Sequence, residues 1–119
     1  MPNTLKATLP YPPTVNHYWR HARGRFYVSE EGRQYRRRVR GILAGVPTFT
    51  GPVALTIEVF PPDNRTRDLN NLSKALLDAL EAAGVYEDDS QSKEEHWYMR
   101  APDKPGRVEV TVTDFGREP

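Results

Sequence analysis

The chain contains no cysteine, which excludes disulfide scaffolds, thiolate zinc sites and cysteine nucleophiles. Its histidines are only three, His17, His21 and His96, and they do not form a compact zinc-ligand pattern. His17 and His21 stand four apart in a segment of poor helical periodicity, where they read as loop or DNA-facing imidazoles rather than a metal pair. No apolar run approaches the roughly 18 residues that span a bilayer. Residues 1–10 lack the basic-then-apolar order of a secretory signal, so the expected location is cytoplasmic, with no membrane contact. There is no Gly-x-Ser-x-Gly elbow and no glycine-rich phosphate loop. Proline, by contrast, is plentiful: 11 in 119 residues, above the usual share of about 5%, which implies many fixed turns. A chain of 119 residues suits one domain, expected to span 1–119.

The formal net charge of +1 conceals two halves of opposite sign. Residues 1–50 carry nine Lys and Arg against two acids, and residues 51–119 carry eight against fourteen. A basic surface suits a polyanion and an acidic one suits a cation, and nucleic acid with a divalent metal would match the pair. A basic helix and acidic loops that are merely solvated account for the same split.

Alternation of Leu5, Ala7 and Leu9 predicts a first strand over residues 4–9, ended by Pro10, Pro12 and Pro13. Residues 15–25 mix aromatics with cations and have no clear period, which predicts an ordered loop, with a short strand over 26–28. Ser29 is a suitable cap for a helix reaching about residue 44, with Glu30 and Glu31 at its positive end. Tyr35, Val39, Ile42 and Leu43 form the apolar stripe of that helix. Val53, Leu55, Ile57 and Val59 alternate in the clearest strand. A second helix carries Leu69, Leu72, Leu76 and Leu80, with Asp68 as its cap and Gly84 as its stop. Further strands are predicted around 96–100 and 108–113. The order implies an α+β fold, a mixed β-sheet with the two main helices packed on one face.

The most informative stretch is Arg67-Asp68-Leu69-Asn70-Asn71-Leu72-Ser73-Lys74. Asp68 and Asn70 stand where a proline-rich loop turns into a helix, and Asp88 and Asp89 follow that helix. Oxygen donors gathered from two segments suit Mg²⁺, which takes octahedral oxygen ligation and keeps several waters. Lys74 is placed to offset negative charge on a phosphate. A structural reading stands beside this one: Asp68 as a plain cap, Glu87-Asp88-Asp89 as a solvated turn, and Lys74 with Asp78 as an ordinary i, i+4 pair. Arg20, Arg23, Arg25 and the arginines of the first helix are candidates for phosphate contact. Tyr18, Trp19 and Tyr27 are candidates for stacking on an unpaired base, with packing the simpler role for Trp19.

These residues resemble a known family. The likeness runs through Leu9-Pro10-Tyr11-Pro12-Pro13, Asn16, Tyr18, Arg20-His21, Arg23-Gly24-Arg25, Val28-Ser29, Glu31-Gly32 and Tyr35-Arg36. It continues through Arg67-Asp68-Leu69, Asn71-Leu72, Lys74, Asp78-Ala79-Leu80, Ala83-Gly84 and Asp88-Asp89. Together they closely resemble the RusA family of Holliday junction resolvases, small endonucleases typical of prophages. The resemblance implies a homodimer that binds four-way DNA junctions and nicks two opposing strands with Mg²⁺, or Mn²⁺ as substitute, and no small-molecule cofactor. It maps the family's three essential aspartates onto Asp68, Asn70 and Asp89, as metal ligands, and its important lysine onto Lys74. DNA contact is expected from Arg20, Arg23, Arg25, Arg36, Arg37, Arg67 and Lys74. Asn70 departs from the pattern: it keeps the shape and one oxygen of aspartate but loses the charge, so junction binding with impaired cleavage is expected. The alternative from another class is a non-catalytic module that binds branched DNA.

Overall fold

The computed structural model describes residues 4–115. Its elements run β1 (Thr4–Pro10), α1 (Val15–Tyr18), β2 (Trp19–Ala22), β3 (Arg25–Val28), α2 (Glu30–Ile42), β4 (Val53–Phe60), α3 (Asn70–Ala82), a 3₁₀ turn (Asp89–Gln91), β5 (Ser92–Met99) and β6 (Arg107–Asp114). The main sheet has the order β1-β6-β4-β5, and β2 and β3 form a separate hairpin. Neighbours in the main sheet are antiparallel except β4 and β5, which run parallel. Parallel strands need a crossover rather than a tight turn, and α3 supplies it. The fold is therefore the α+β arrangement with a mixed sheet that the sequence predicts.

Strand alternation fixes which face is covered. Val53, Leu55, Ile57 and Val59 of β4 are buried while their neighbours are only half-buried. Val108, Val110 and Val112 of β6 repeat the pattern. Against that face lie Tyr35 and Val39 of α2 and Leu72, Ala75, Leu76, Ala79 and Leu80 of α3, all in one core. Each of the α3 leucines contributes about 2 kcal/mol by leaving water. Strand β5 lies at the edge of the sheet, which explains its polar, exposed sequence.

Several local expectations change. The segment 15–25 is not a loop: it forms α1 and then most of the β2–β3 hairpin. The reason is a two-residue turn, Arg23-Gly24, in which both residues have positive φ, 54° and 74°. That is the primed geometry whose twist matches paired strands, and arginine at its first position hides the usual signal. Helix α2 ends at Ile42, two residues early, with Ser29 capping it as expected through a 3.0 Å bond from the Gly32 N–H. Ile42 is not in the core but 50% exposed, because Leu43 in the terminating turn takes the inward place. Helix α3 starts at Asn70 rather than directly after Asp68. The carboxylate still serves the helix, since Asp68 Oδ1 accepts the Asn70 N–H at 3.0 Å. Strand β5 begins at Ser92, four residues before its alternating stretch, held by pairing to β4.

Gly32 stands where α1 meets α2. A Cβ there would lie 2.6 Å from the Tyr18 carbonyl oxygen and 2.7 Å from Val28 Cγ1, one of them backbone that cannot swing aside. Gly32→Ala is expected to destabilise the chain by about 1–3 kcal/mol through overpacking, despite alanine's better helix propensity. Urea unfolding checks this, and an unchanged or raised midpoint contradicts the close approach.

Candidate functional site

The start of α3 is prepared by the loop before it. Asp63 accepts the Arg65 N–H at 3.0 Å and pairs with Arg67 at 2.6 Å, and these bonds hold its carboxyl below the usual range. Arg67 Nη1 also donates to the carbonyls of Asp63 and Arg65, each at 3.0 Å, and its guanidinium lies 5.8 Å from the Tyr11 ring centroid. Arg67 is thus a staple that folds the loop and presents the next residue, Asp68. Asp68, Asn70 and Lys74 are all exposed. Asn70 and Lys74 are four apart on α3 and share a face, which continues through Leu77, Asp78 and Glu81.

The acidic turn beyond α3 is fixed by a residue the sequence did not single out. Gln91 Oε1 accepts the N–H groups of Glu87 at 2.7 Å and Asp88 at 3.0 Å. Its Nε2 donates to the carbonyls of Phe49 at 2.9 Å and Gly51 at 2.8 Å. One side-chain amide therefore ties the turn to the segment leading into β4. Asp88 accepts from Ser90 Oγ at 2.7 Å, which lowers its pKa and commits it to the turn.

Asp89 instead lines a hollow of about 720 Å³ together with Lys74, Leu77, Asp78 and Glu81 of α3 and Arg20, His21 and Phe26 of the hairpin. Burial, then the nearby charges of Asp89, Asp88 and Asp78, push the Glu81 carboxyl up. Asp68 opens into a neighbouring hollow of about 940 Å³, shared with His17, Arg38, Arg65, Arg67 and Asn71. Among the described residues no three His, Asp or Glu side chains gather as a metal cluster.

At the hollow of about 720 Å³, which Asp78 lines, sits a polar knot. Tyr18, fully buried, donates its hydroxyl to Asp78 Oδ2. Arg36 Nε donates to the same oxygen at 2.8 Å and to the Tyr18 hydroxyl at 3.0 Å, and Arg36 Nη2 lies 2.7 Å from Asp78. Burial first, then the Asp78 carboxylate, raise the Tyr18 pKa far above the phenol range. The knot joins α1, α2 and α3 at the wall of that hollow of about 720 Å³.

Comparison with known proteins places this architecture. The family model described as "Endodeoxyribonuclease RusA" matches residues 10–113. The chain is 44% identical over 119 residues to the crossover junction endodeoxyribonuclease of Enterobacteria phage 82, covering 98% of this chain and 99% of the relative. It is equally similar, over the same spans, to the proteins of that name from Escherichia coli strain K12 and Shigella sonnei strain Ss046. The chain belongs to the RusA family.

For this RusA-family endonuclease the structure sorts the expected DNA-contacting residues into two groups. Arg36 is held by Asp78, Arg37 pairs with Glu30 at 3.3 Å, and Arg67 is the loop staple. Arg20, Arg23, Arg25 and Lys74 make no ion pair among the described residues. The plain i, i+4 pairing of Lys74 with Asp78 is not formed, because Asp78 turns to Arg36 and Tyr18. Of the aromatic candidates, Tyr18 is buried in the knot, Trp19 packs edge-on against it at 5.3 Å, and Tyr27 is 48% exposed on the hairpin. Gln91 had no distinguishing mark in the sequence, and Asp78 stood there only as a motif residue and a partner for Lys74, since the role of each depends on partners 40 to 60 positions away in the chain.

Proposed function

We propose that this chain binds four-way DNA junctions as a homodimer and acts on them by metal-assisted phosphodiester cleavage, with cleavage impaired by Asn70. The observation that carries the reading is the shared hollow of Lys74 and Asp89 beside a hairpin bearing three arginines that make no ion pair among the described residues, in a chain of the RusA family. A two-fold protein offers one site to each of two opposing strands.

The donor set suits a hard divalent cation: Asp68 uses Oδ1 for its helix, Asn70 offers an amide oxygen, and Asp89 adds a second carboxylate. Asp68 opens into one hollow and Asp89 into the other, so these three residues would have to converge to hold Mg²⁺, or Mn²⁺ in its place, which when bound polarises a phosphoryl oxygen and acidifies a water. Lys74 faces the same hollow as Asp89 and offsets charge on the phosphate oxygens. Arg20, Arg23 and Arg25 hold the backbone and leave base sequence unread. With one negative charge fewer at position 70, cation binding is weak while junction binding persists.

The test is a salt titration of binding to a synthetic four-way junction and to a linear duplex. Replacing Arg20, Arg23 and Arg25 with glutamine is expected to reduce the slope of log affinity against log salt by about three, at roughly 0.9 per phosphate contact. An unchanged slope removes the hairpin from the DNA surface. A junction preference absent from the parent chain removes the substrate assignment. The non-catalytic reading is separated by Mn²⁺ binding followed by electron paramagnetic resonance: weak binding that Asp68→Asn and Asp89→Asn abolish supports the nuclease, and none supports a pure binder.

A further inference from the structure

The β2–β3 hairpin has two unlike faces. Its register pairs Trp19 with Val28 and His21 with Phe26 on one face, and Arg20 with Tyr27 and Ala22 with Arg25 on the other. At the base, Trp19 and Val28 are half-buried against the core. Farther out on the same face, Phe26 is 76% exposed, the most exposed of the large apolar side chains among the described residues. His21 lies against it, with ring centroids 4.7 Å apart. Both rings border the hollow that holds Lys74 and Asp89. The turn beyond them carries Arg23, and Arg25 follows it directly.

A single exposed aromatic needs no special explanation. Phe26 differs in its setting: it is backed by a second ring, borders the hollow, and sits near a hairpin tip whose Arg23 and Arg25 make no ion pair among the described residues. An apolar ring on one face of a hairpin whose tip and other face carry cations fits one occupant well, a nucleobase that has left its stack while its backbone is held by those cations. Duplex DNA keeps its bases stacked and offers no face to such a ring. A branch point, where stacking is interrupted, does.

We infer that Phe26, supported by His21, is a stacking platform for an unstacked base at the branch point and sets preference for branched over linear DNA. The inference rests on the junction-binding reading above. The flat ring receives the base, Arg23 and Arg25 hold the adjoining phosphates, and the strand so drawn out passes over Lys74 and Asp89. Neither Tyr18, which is buried, nor Tyr27, on the opposite hairpin face, is placed for this.

The experiment uses the full chain without added metal, a four-way junction carrying 2-aminopurine at the branch point, and a linear duplex of the same sequence. Binding of the parent chain is expected to change 2-aminopurine fluorescence in the junction. Phe26→Ala is expected to lower the ratio of junction to duplex affinity about ten-fold and to remove most of that change, as loss of one base-stacking ring would. Phe26→Trp, which keeps an aromatic face, is expected to retain the ratio within about two-fold. Since Phe26 is exposed, circular dichroism of all three chains should coincide. A parent chain with no junction preference overturns the substrate reading and this inference together. A parent chain that prefers junctions, with Phe26→Ala keeping both the ratio and the fluorescence change, overturns the inference alone.

Discussion

Asn70→Asp is expected to raise Mg²⁺-dependent nicking of a four-way junction on the order of 100-fold, the scale on which a single charge-stabilising group acts in an active site. The substitution is nearly isosteric and falls on an exposed residue at the first position of α3. Aspartate there is also favoured by the positive end of the helix. Set against that gain is repulsion from Asp68, two residues away at the same helix end. The two effects nearly cancel without metal, so the melting temperatures of the two chains should be close in chelator. With Mg²⁺ present they should separate, because a cation bound only by the folded chain adds stability by mass action. Nicking assays and thermal melts with and without Mg²⁺ therefore read the same site independently. If neither nicking nor the Mg²⁺-dependent melt responds while junction binding persists, position 70 has no part in holding a metal.

Asp78→Ala should be among the most destabilising single changes in the chain. Asp78 receives the Tyr18 hydroxyl and the Arg36 guanidinium, and its removal leaves a buried phenol and a largely enclosed cation without their acceptor. Breaking a buried pair from one side costs about 3–5 kcal/mol. The Asp78 and Arg36 side chains keep 25% and 29% of their exposure, so the lower end, about 3 kcal/mol, is expected after solvent screening. For a domain of this size that is a fall of roughly 10–15 °C in melting temperature, at about 4–5 °C per kcal/mol. Asp78→Asn keeps an acceptor for the Tyr18 hydroxyl and should cost less. Equal melting of Asp78→Ala and the parent would mean that the knot does not hold α1, α2 and α3 together.

The elements legible in advance were those whose burial is set by their own periodicity. Val53 to Val59 alternate because β4 is central and covered on one face, and the α3 leucines repeat at helical spacing because one stripe meets the sheet. The Ser29 cap was legible for the same local reason: its hydroxyl serves an N–H three residues on. The hairpin was not, since an Arg-Gly turn at positive φ carries no strong preference at its first residue. Ile42 and Leu43 are both compatible with the same helical stripe, and only the end of α2 against its neighbours chooses between them.

Residue type and local spacing by themselves determined the α+β class, the absence of thiol chemistry, the basic first half and the acidic helix start, because these depend on composition and on neighbours a few positions apart. The family likeness was carried by short motifs in the same way. Tertiary structure alone decided which charges are spent inside the protein and which face outward. Arg36 looks no different from Arg20 and Arg25 in the chain, yet it is consumed by Asp78, 42 positions away, while Arg20 lines the hollow and Arg25 makes no ion pair among the described residues. An ion pair between distant segments exists only once folding has brought its partners within about 4 Å, and no local pattern encodes that distance.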